Sequence, residues 1–422
     1  MTTTGPDAAD GTDTVDLLDA ELLKDPFAGY ARIRERDPLS RSELPGIGPV
    51  WIATRYDDVR TVLSDPRFVM SVPSVPGADT QDMVRRILQA RGVPPEYMKY
   101  MRDGLTDVDG ADHARLRRLV SHAFTVRSVA RLRPRVEKLA EQLLDRLTEV
   151  AEDGVVDLLG HFAYPLPIIV ICELVGVPDE DRPRWREWSE ALTSGTGPVL
   201  AAAVEGMVTS TRELIERRRA ESADDLISGL IRARDENGDR LGDTEMITMI
   251  LTLVVAGHET TAHLIANGTA ALLAHPDQLA LLREDPGLVP GAVHELLRWC
   301  GPALMGRIRY AAEDLEIGGR PVRGGEAVMP ILAGANHDPD AFGAPERLDV
   351  TREPDRRGET HVAFAYGPHY CLGAALARQE GEVAFEALIR RFPGLTLAVD
   401  SQDLERVPMP GVWRLATLPV RL

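Results

Sequence analysis

The sequence is poor in cysteine, in basic charge and in long apolar runs. Three cysteines in 422 residues (Cys172, Cys300 and Cys371) cannot build a disulfide framework. Their number fits a reducing compartment. Forty-eight Lys and Arg against 66 Asp and Glu leave a net charge of −18. That deficit argues against non-specific nucleic-acid binding, which needs a basic footprint. It argues equally against docking on an anionic membrane surface. The strongest apolar stretch, Leu166 to Val177, is too short to span a bilayer and contains Glu173. The opening residues MTTTGPDAADGTDTVDLLDA have no basic or apolar segment of the kind a signal peptide needs. A cytoplasmic protein is expected, with neither a membrane nor a nucleic acid as partner. No internal repeat appears, and no linker separates two cores.

What is present is ordinary globular composition, 44% hydrophobic and 27% charged. Residues 1–20 are small, polar and acidic and are expected to form a disordered arm, with one catalytic domain over 21–422. Short helix and strand patterns alternate from Pro26 to Phe68, and Val50–Thr54 reads as a strand. Residues 70–110 are rich in Pro, Gly and Asp, as in a lid or binding loop. Helical spacing runs from 111 to about 152 and again over 179–236, broken at Thr193–Pro198. The longest apolar helix is predicted over 243–274, with Asp243 and Thr244 able to cap it and His275–Pro276 ending it. Another helix is expected at about 287–299, and a last one starts near Cys371 and stops before Pro393. The fold class is α+β, predominantly helical, with small β-sheets.

The most informative segment is Phe364-Ala-Tyr-Gly-Pro-His-Tyr-Cys371-Leu-Gly373. Its glycines permit turns and close backbone approach. Cys371 stands where an amphipathic helix begins, and a helix N-terminus favours thiolate. Such a thiolate is either a nucleophile, with His369 as the local base, or a metal ligand. Cys172 and Cys300 read as buried structural residues.

The long helix carries Val255-Ala-Gly-His258-Glu259-Thr260-Thr261-Ala-His263 at its middle. A His-Glu-x-x-His zinc site would place both imidazoles on one face. His258 and His263 are five apart, about 140° round the helix, so they do not share a face. They read as packing or polar-contact residues. Gly257 weakens the helix, and a threonine can bond back to the preceding turn and bend it. A weak point in a buried helix usually has a purpose.

Taken together, these segments resemble the cytochromes P-450. Phe-x-x-Gly-x-His-x-Cys-x-Gly resembles that family's haem-binding loop, about 50 residues from the C-terminus, with Ala365 where the family usually has Gly. Ala-Gly-His-Glu-Thr-Thr resembles its oxygen-binding groove. Glu295-Leu-Leu-Arg298 resembles its E-x-x-R pair, with Arg347 of Pro345-Glu-Arg347 as the matching third member. His113-Ala-Arg-Leu-Arg117 and Arg309 resemble the residues that bind haem propionates. The motifs stand in family order along the chain.

The resemblance implies a haem-thiolate monooxygenase using O₂, with haem b held by Cys371 through its sulfur. Phe364 and Gly373 would lie at the ligand loop, and His113, Arg117, Arg309 and His369 would contact the propionates. Glu259 and Thr260 would organise proton delivery. Met83, Ile87, Val254, Ala256, Ala303, Leu304, Met305 and Val412 would line the substrate pocket. These are mostly aliphatic, which suits a bulky lipophilic ligand of polyketide type. Oxidative ring closure or C–O/C–C coupling is the alternative outcome, because the motifs do not separate it from hydroxylation or epoxidation.

No reductase is fused to the chain. The resemblance therefore implies a separate ferredoxin and its reductase, with NAD(P)H as the indirect source of electrons. Residues 113–138 hold eight Lys or Arg and one acid. They read either as a charged helix face or as a docking patch near Arg115, Arg118 and Arg131.

Overall fold

The computed structural model describes residues 14–45, 47–70, 80–233, 238–352 and 360–422, with the backbone alone at 80–84. In chain order the first elements are α1 (Ala20–Lys24), α2 (Pro26–Arg36), β1 (Leu39–Leu44), β2 (Gly48–Ala53), α3 (Tyr56–Ser64), β3 (Phe68–Val69) and α4 (Thr80–Ala90). There follow α5 (Gly110–Ser121), α6 (Val126–Val150), β4 (Val155–Asp157), α7 (Pro165–Val175), α8 (Arg182–Ser194), α9 (Gly197–Ala220) and α10 (Leu226–Arg232). The second half holds α11 (Asp243–Ala274), α12 (Pro276–Glu284), α13 (Val289–Cys300), β5 (Arg309–Ala311), β6 (Leu315–Ile317), β7 (Arg320–Val322), β8 (Ala327–Pro330) and α14 (Leu332–Asn336). It closes with α15 (Ala374–Arg391), β9 (Thr396–Leu397) and β10 (Pro419–Arg421).

The 32-residue α11 is the axis of the molecule and packs against α7, α8, α9, α13 and α15. Among the described residues it is the one helix long and apolar enough to cross a membrane, yet 67% of its most apolar window is buried inside the protein. It starts at the predicted residue, but the cap differs from the prediction. Asp243 and Thr244 lie in the first turn, and the cap is Gly242, whose N–H donates to Glu245 Oε2 at 2.8 Å. Its end is as expected, with Pro276 opening α12.

The predicted Val50–Thr54 strand is β2. It pairs antiparallel with β1 and parallel with β8 in a five-stranded sheet of order β1-β2-β8-β5-β3. The sheet covers the side of the helical body from which α3 and α14 depart. Residues 14–20, the described part of the expected acidic arm, are packed against the domain. Residues 1–13 lie outside the described residues, but Val15 N–H donates to Arg41 O at 2.7 Å and Leu17 is buried with α1 and α2. A bridge from Val15 to Ser42 of β1 and the burial of Leu17 suffice to tie down what composition alone reads as solvated.

Glu295 and Arg298 sit on α13 with side chains only 1% and 2% exposed. Arg298 clamps Glu295 with two bonds of 2.7 Å and donates to the backbone oxygens of Asn336, Pro345 and Arg347. The third arginine is not Arg347, which contributes only its carbonyl. Arg352 Nε donates to Glu295 Oε2 at 3.1 Å instead. The chain bends so that Asp349 N–H also reaches Glu295, which brings residue 352 and not 347 beside the carboxylate.

Candidate active site

A cavity of about 410 Å³ lies between α11, α15, α5, the segment 302–309 and the loop that carries Cys371. The loop is built by short-range hydrogen bonds. Ala365 N–H donates to Val362 O and Cys371 N–H to Phe364 O, both at 2.9 Å. Gly367 turns at φ +73°, and a Cβ there would meet Leu63 O and Ser64 Cα of α3 at 2.9 Å. A side chain would push the loop off α3. Ala365 occupies the left-handed region as well, at φ +62°, where a Cβ costs about 1–2 kcal/mol.

Cys371 lies just before Gly373, the residue capping α15, and its side chain opens on the cavity. Phe364 and Gly373 line the cavity beside it. Cys172 and Cys300 differ in every respect: both are buried, and burial pushes their thiols up to about 12.

Four cationic or ionisable groups converge on the same end of the cavity: His113 and Arg117 of α5, Arg309 of β5 and His369 of the cysteine loop. The rings of His113 and His369 lie 4.0 Å apart. His369 Nε2 is 3.4 Å from Asp109 Oδ1. Burial first, and then the neighbouring His369, Arg117 and Arg309, lower the His113 pKa to about 4, with Asp109 opposing. Arg309 is 3% exposed, and burial holds its pKa down to about 10. Arg309 Nη1 and His113 Nε2 are buried without a hydrogen-bond partner. Native structures rarely leave such donors unmet. The donor set is short of acceptors, and a ligand with carboxylates would supply them.

α11 presents Thr252, Leu253, Ala256, Gly257, Thr260, Thr261 and Leu264 to the cavity. Thr260 Oγ1 donates to Ala256 O at 2.6 Å, the back-bond its motif suggests. Glu259 does not line the cavity. It turns one residue round the helix and pairs with the Nη1 of Arg414, a contact with both side chains largely buried. His258 Nδ1 stands 3.2 Å from Ser189 Oγ, and His263 Nε2 stands 2.9 Å from Tyr164 OH.

Of the expected pocket residues, Ala256, Ala303 and Met305 line the cavity. Four others do not. Val254 is fully buried in the core, because two residues are about 200° of helix and put it opposite Ala256. Leu304 packs into the N-terminal cluster, since neighbours along an extended segment face opposite ways. Val412 forms a backbone bridge with Ala303 rather than a wall. Ile87 is half-buried on α4 and lies outside the lining, while its neighbour Leu88 enters the main core. The side chain of Met83 lies outside the described residues. Leu105 and Thr106 come from the 70–110 segment read as a lid or binding loop, whereas Phe124, Ile171 and Leu297 were not anticipated. The α11 face was legible from helical spacing; the others come from elements with no motif.

Residues 184–408 match the family model for cytochrome P450. The chain is 40% identical to the 6-deoxyerythronolide B hydroxylase of Saccharopolyspora erythraea over 97% of this chain and 99% of that one. This chain is a cytochrome P450.

Among solved structures, the P450 superposes on PksS, the cytochrome P450 of the Bacillus subtilis bacillaene polyketide synthase. The TM-score is 0.87 at 36% identity, covering 97% of this chain and all of that one. It also resembles CxnD, the P450 for C–S bond formation in chuangxinmycin biosynthesis, with TM-score 0.85, 34% identity and 98% of both chains covered. The family is one of monooxygenases, and it implies a haem-thiolate cofactor and O₂. The unmet donors at Arg309 and His113 and the cysteine that lines the same cavity fit that group.

Proposed function

We propose that this P450 inserts oxygen into a bulky lipophilic natural product of polyketide type, by hydroxylation or epoxidation. The carrying observation is the cavity itself. One open space joins the Cys371 sulfur, a cluster of cationic side chains with unmet donors, and an aliphatic wall. Cys371 would hold haem b through its sulfur. His113, Arg117, Arg309 and His369 would hold its carboxylates. When bound, that group supplies the activation of O₂, and a thiolate ligand favours O–O cleavage.

The chain's own part is to place and to protonate. Ala256, Ile171, Leu253, Ala303 and Met305 exclude water from one face of the substrate and hold it by apolar contact. Thr260 places a hydroxyl on the cavity wall. Its proton is held by Ala256 O, so its lone pairs are directed to accept one. Glu259 stands one residue behind it, fixed by Arg414.

Electrons would come from a ferredoxin and its reductase. Arg115 is not part of the docking surface, because Glu245 and Asp239 occupy it. Arg133 and Arg135 are likewise engaged by acids of α6, α7 and α15. Arg118 of α5 and Arg131 of α6 lie on the exposed surface and would take part in the docking.

A second reading, oxidative coupling or ring closure, is favoured by the likeness to CxnD. The test begins with the reduced, haem-loaded protein under carbon monoxide. A strongly red-shifted Soret band, lost in Cys371→Ser, supports the ligand assignment, and its absence in folded protein defeats it. Product mass then separates the two outcomes: gain of one oxygen atom for insertion, loss of two hydrogens for ring closure.

A further inference from the structure

Arg406 is a partly buried cation, and among the described residues no carboxylate pairs with it. Burial pulls its pKa down to about 10. A charge kept from water without a counter-ion is costly, so its contacts show what it holds. Two contacts fix its side chain. The guanidinium carbon stands 3.6 Å from the centre of the Trp413 ring, a cation over an aromatic face. Its Nη1 donates to Asn267 Oδ1 at 3.2 Å. Asn267, on α11 and 2% exposed, donates from Nδ2 to Trp413 O at 2.7 Å and to Cys300 O at 3.4 Å. Ring and amide thus hold Trp413 from two directions.

The turn that carries Trp413 is bonded to a wall of the cavity. Trp413 N–H donates to Pro302 O at 2.8 Å, Leu304 N–H donates to Gly411 O at 2.9 Å, and Ala303 bridges Val412 antiparallel. Gly411 has φ +81°, and a Cβ there would stand 3.5 Å from Met305 Sδ. Pro302, Ala303 and Met305 line the cavity, whereas residues 411–413 do not. The turn therefore supports the wall from behind. Arg406 stands at its foot, where its backbone bridges Leu415 and Val407 N–H donates to Arg414 O at 3.2 Å.

We propose that Arg406 is a positioning residue of the substrate site, setting where Ala303 and Met305 stand by clamping the 411–413 turn through the Trp413 ring and Asn267. The proposal rests on the monooxygenase reading above. Arg406 does not line the cavity and acts only through the turn. Apolar contact has no direction of its own, so the pose of an apolar guest depends on how firmly its wall is held. A loosened wall admits several poses and holds each one less well.

The test uses the full-length, haem-loaded protein and two nitrogen ligands followed by their Soret shift. Imidazole needs only the iron. 4-Phenylimidazole adds a ring that packs on the apolar lining. Arg406→Met keeps the side chain's length and removes the cation and its donors. It is expected to weaken 4-phenylimidazole by roughly 3- to 10-fold, the worth of one cation–aromatic contact, and to leave imidazole binding as in wild type. Arg406→Lys keeps a cation over the ring and should restore most of the loss. Trp413→Leu removes the contact from its other side and should shift the ratio of the two affinities the same way, which decides the matter even where Arg406→Met does not fold. Amide hydrogen exchange over 302–305 and 411–413 should quicken in Arg406→Met, with α13 and α15 unchanged.

An unchanged affinity ratio in Arg406→Met and Trp413→Leu overturns the proposal. Equal weakening of both ligands also overturns it, because that marks a purely structural role. Wild type that gives no Soret shift with imidazole would instead strike the haem-thiolate reading. Amide exchange needs no iron and then decides the clamp: equal exchange over 302–305 in variant and wild type overturns it.

Discussion

The floor of the cavity and the junction of α4 with the α8–α9 turn are held by opposite means. The floor is α13, α15 and the cysteine loop, locked by a buried ion pair whose every polar atom is answered: Glu295 by Arg298, Arg352 and Asp349 N–H, Arg298 by three carbonyls. The second region joins the end of α4 to the α8–α9 turn. There a single guanidinium, Arg91, donates to Leu192 O at 2.9 Å, Gly195 O at 3.2 Å and Thr193 O at 3.4 Å. Gly197 N–H answers Arg91 O at 2.7 Å, and the neighbouring Gly92 is pressed so close to Gly197 that a Cβ would lie 2.7 Å from its Cα. The floor fixes chemistry with buried charge. The α4 junction is tied by half-exposed bonds to backbone.

The largest effect should come from the floor. Removing one partner of a buried ion pair leaves an uncompensated charge, at about 3–5 kcal/mol. Arg298→Ala should therefore lose that much in urea unfolding, or fail to accumulate as folded protein. Arg352→Ala, whose side chain is partly exposed, should lose clearly less. Arg347→Ala should be close to neutral, because its side chain makes none of these bonds. An Arg347→Ala loss as large as that of Arg352→Ala would restore Arg347 as the third member.

Arg309→Leu tests whether the unmet donors are built for a ligand. In the haem-free protein the change removes a buried cation with an orphaned Nη1, so stability should hold or rise. Haem should leave the loaded protein about 10- to 100-fold faster, the worth of one charge-assisted bond. A haem-free protein that unfolds on this change would show the arginine to be structural.

The α4 junction predicts smaller numbers and a different observable. Arg91→Ala should change global stability by less than about 1 kcal/mol, since loop openings lie at the low end of the stability range. Substrate association and dissociation, followed by the spin-state change in stopped flow, should both quicken. Equal rates in variant and wild type would show that Arg91 does not limit entry.

This contrast also separates what the sequence made legible from what it hid. The cysteine loop, the α11 motif and Glu295–Arg298 are local, so spacing along one element announces them. The bounds of α11 and the strand at β2 follow from periodicity for the same reason. Arg352, Arg414 and Arg91 could not be found that way. Each acts through a partner at least 57 residues away or on a facing helix. Val254 was a different kind of miss: two residues along a helix reverse the face, and the spacing of Thr252, Ala256 and Thr260 already showed which face was wanted.

The smallest effect tests the floor against itself. Ala365 holds a left-handed φ of +62° in a loop that otherwise uses glycine for such turns. Its methyl group also packs at the edge of the cluster around Leu63, Val59 and Val362. Strain relief from Ala365→Gly is about 1–2 kcal/mol. The lost methyl contact and the freer unfolded chain give back roughly 1 kcal/mol. The variant should thus gain up to about 1 kcal/mol, read as a higher urea midpoint at unchanged slope. A loss would mean that methyl packing against α3 outweighs the strain, and that the loop is held from the α3 side rather than by its own turns.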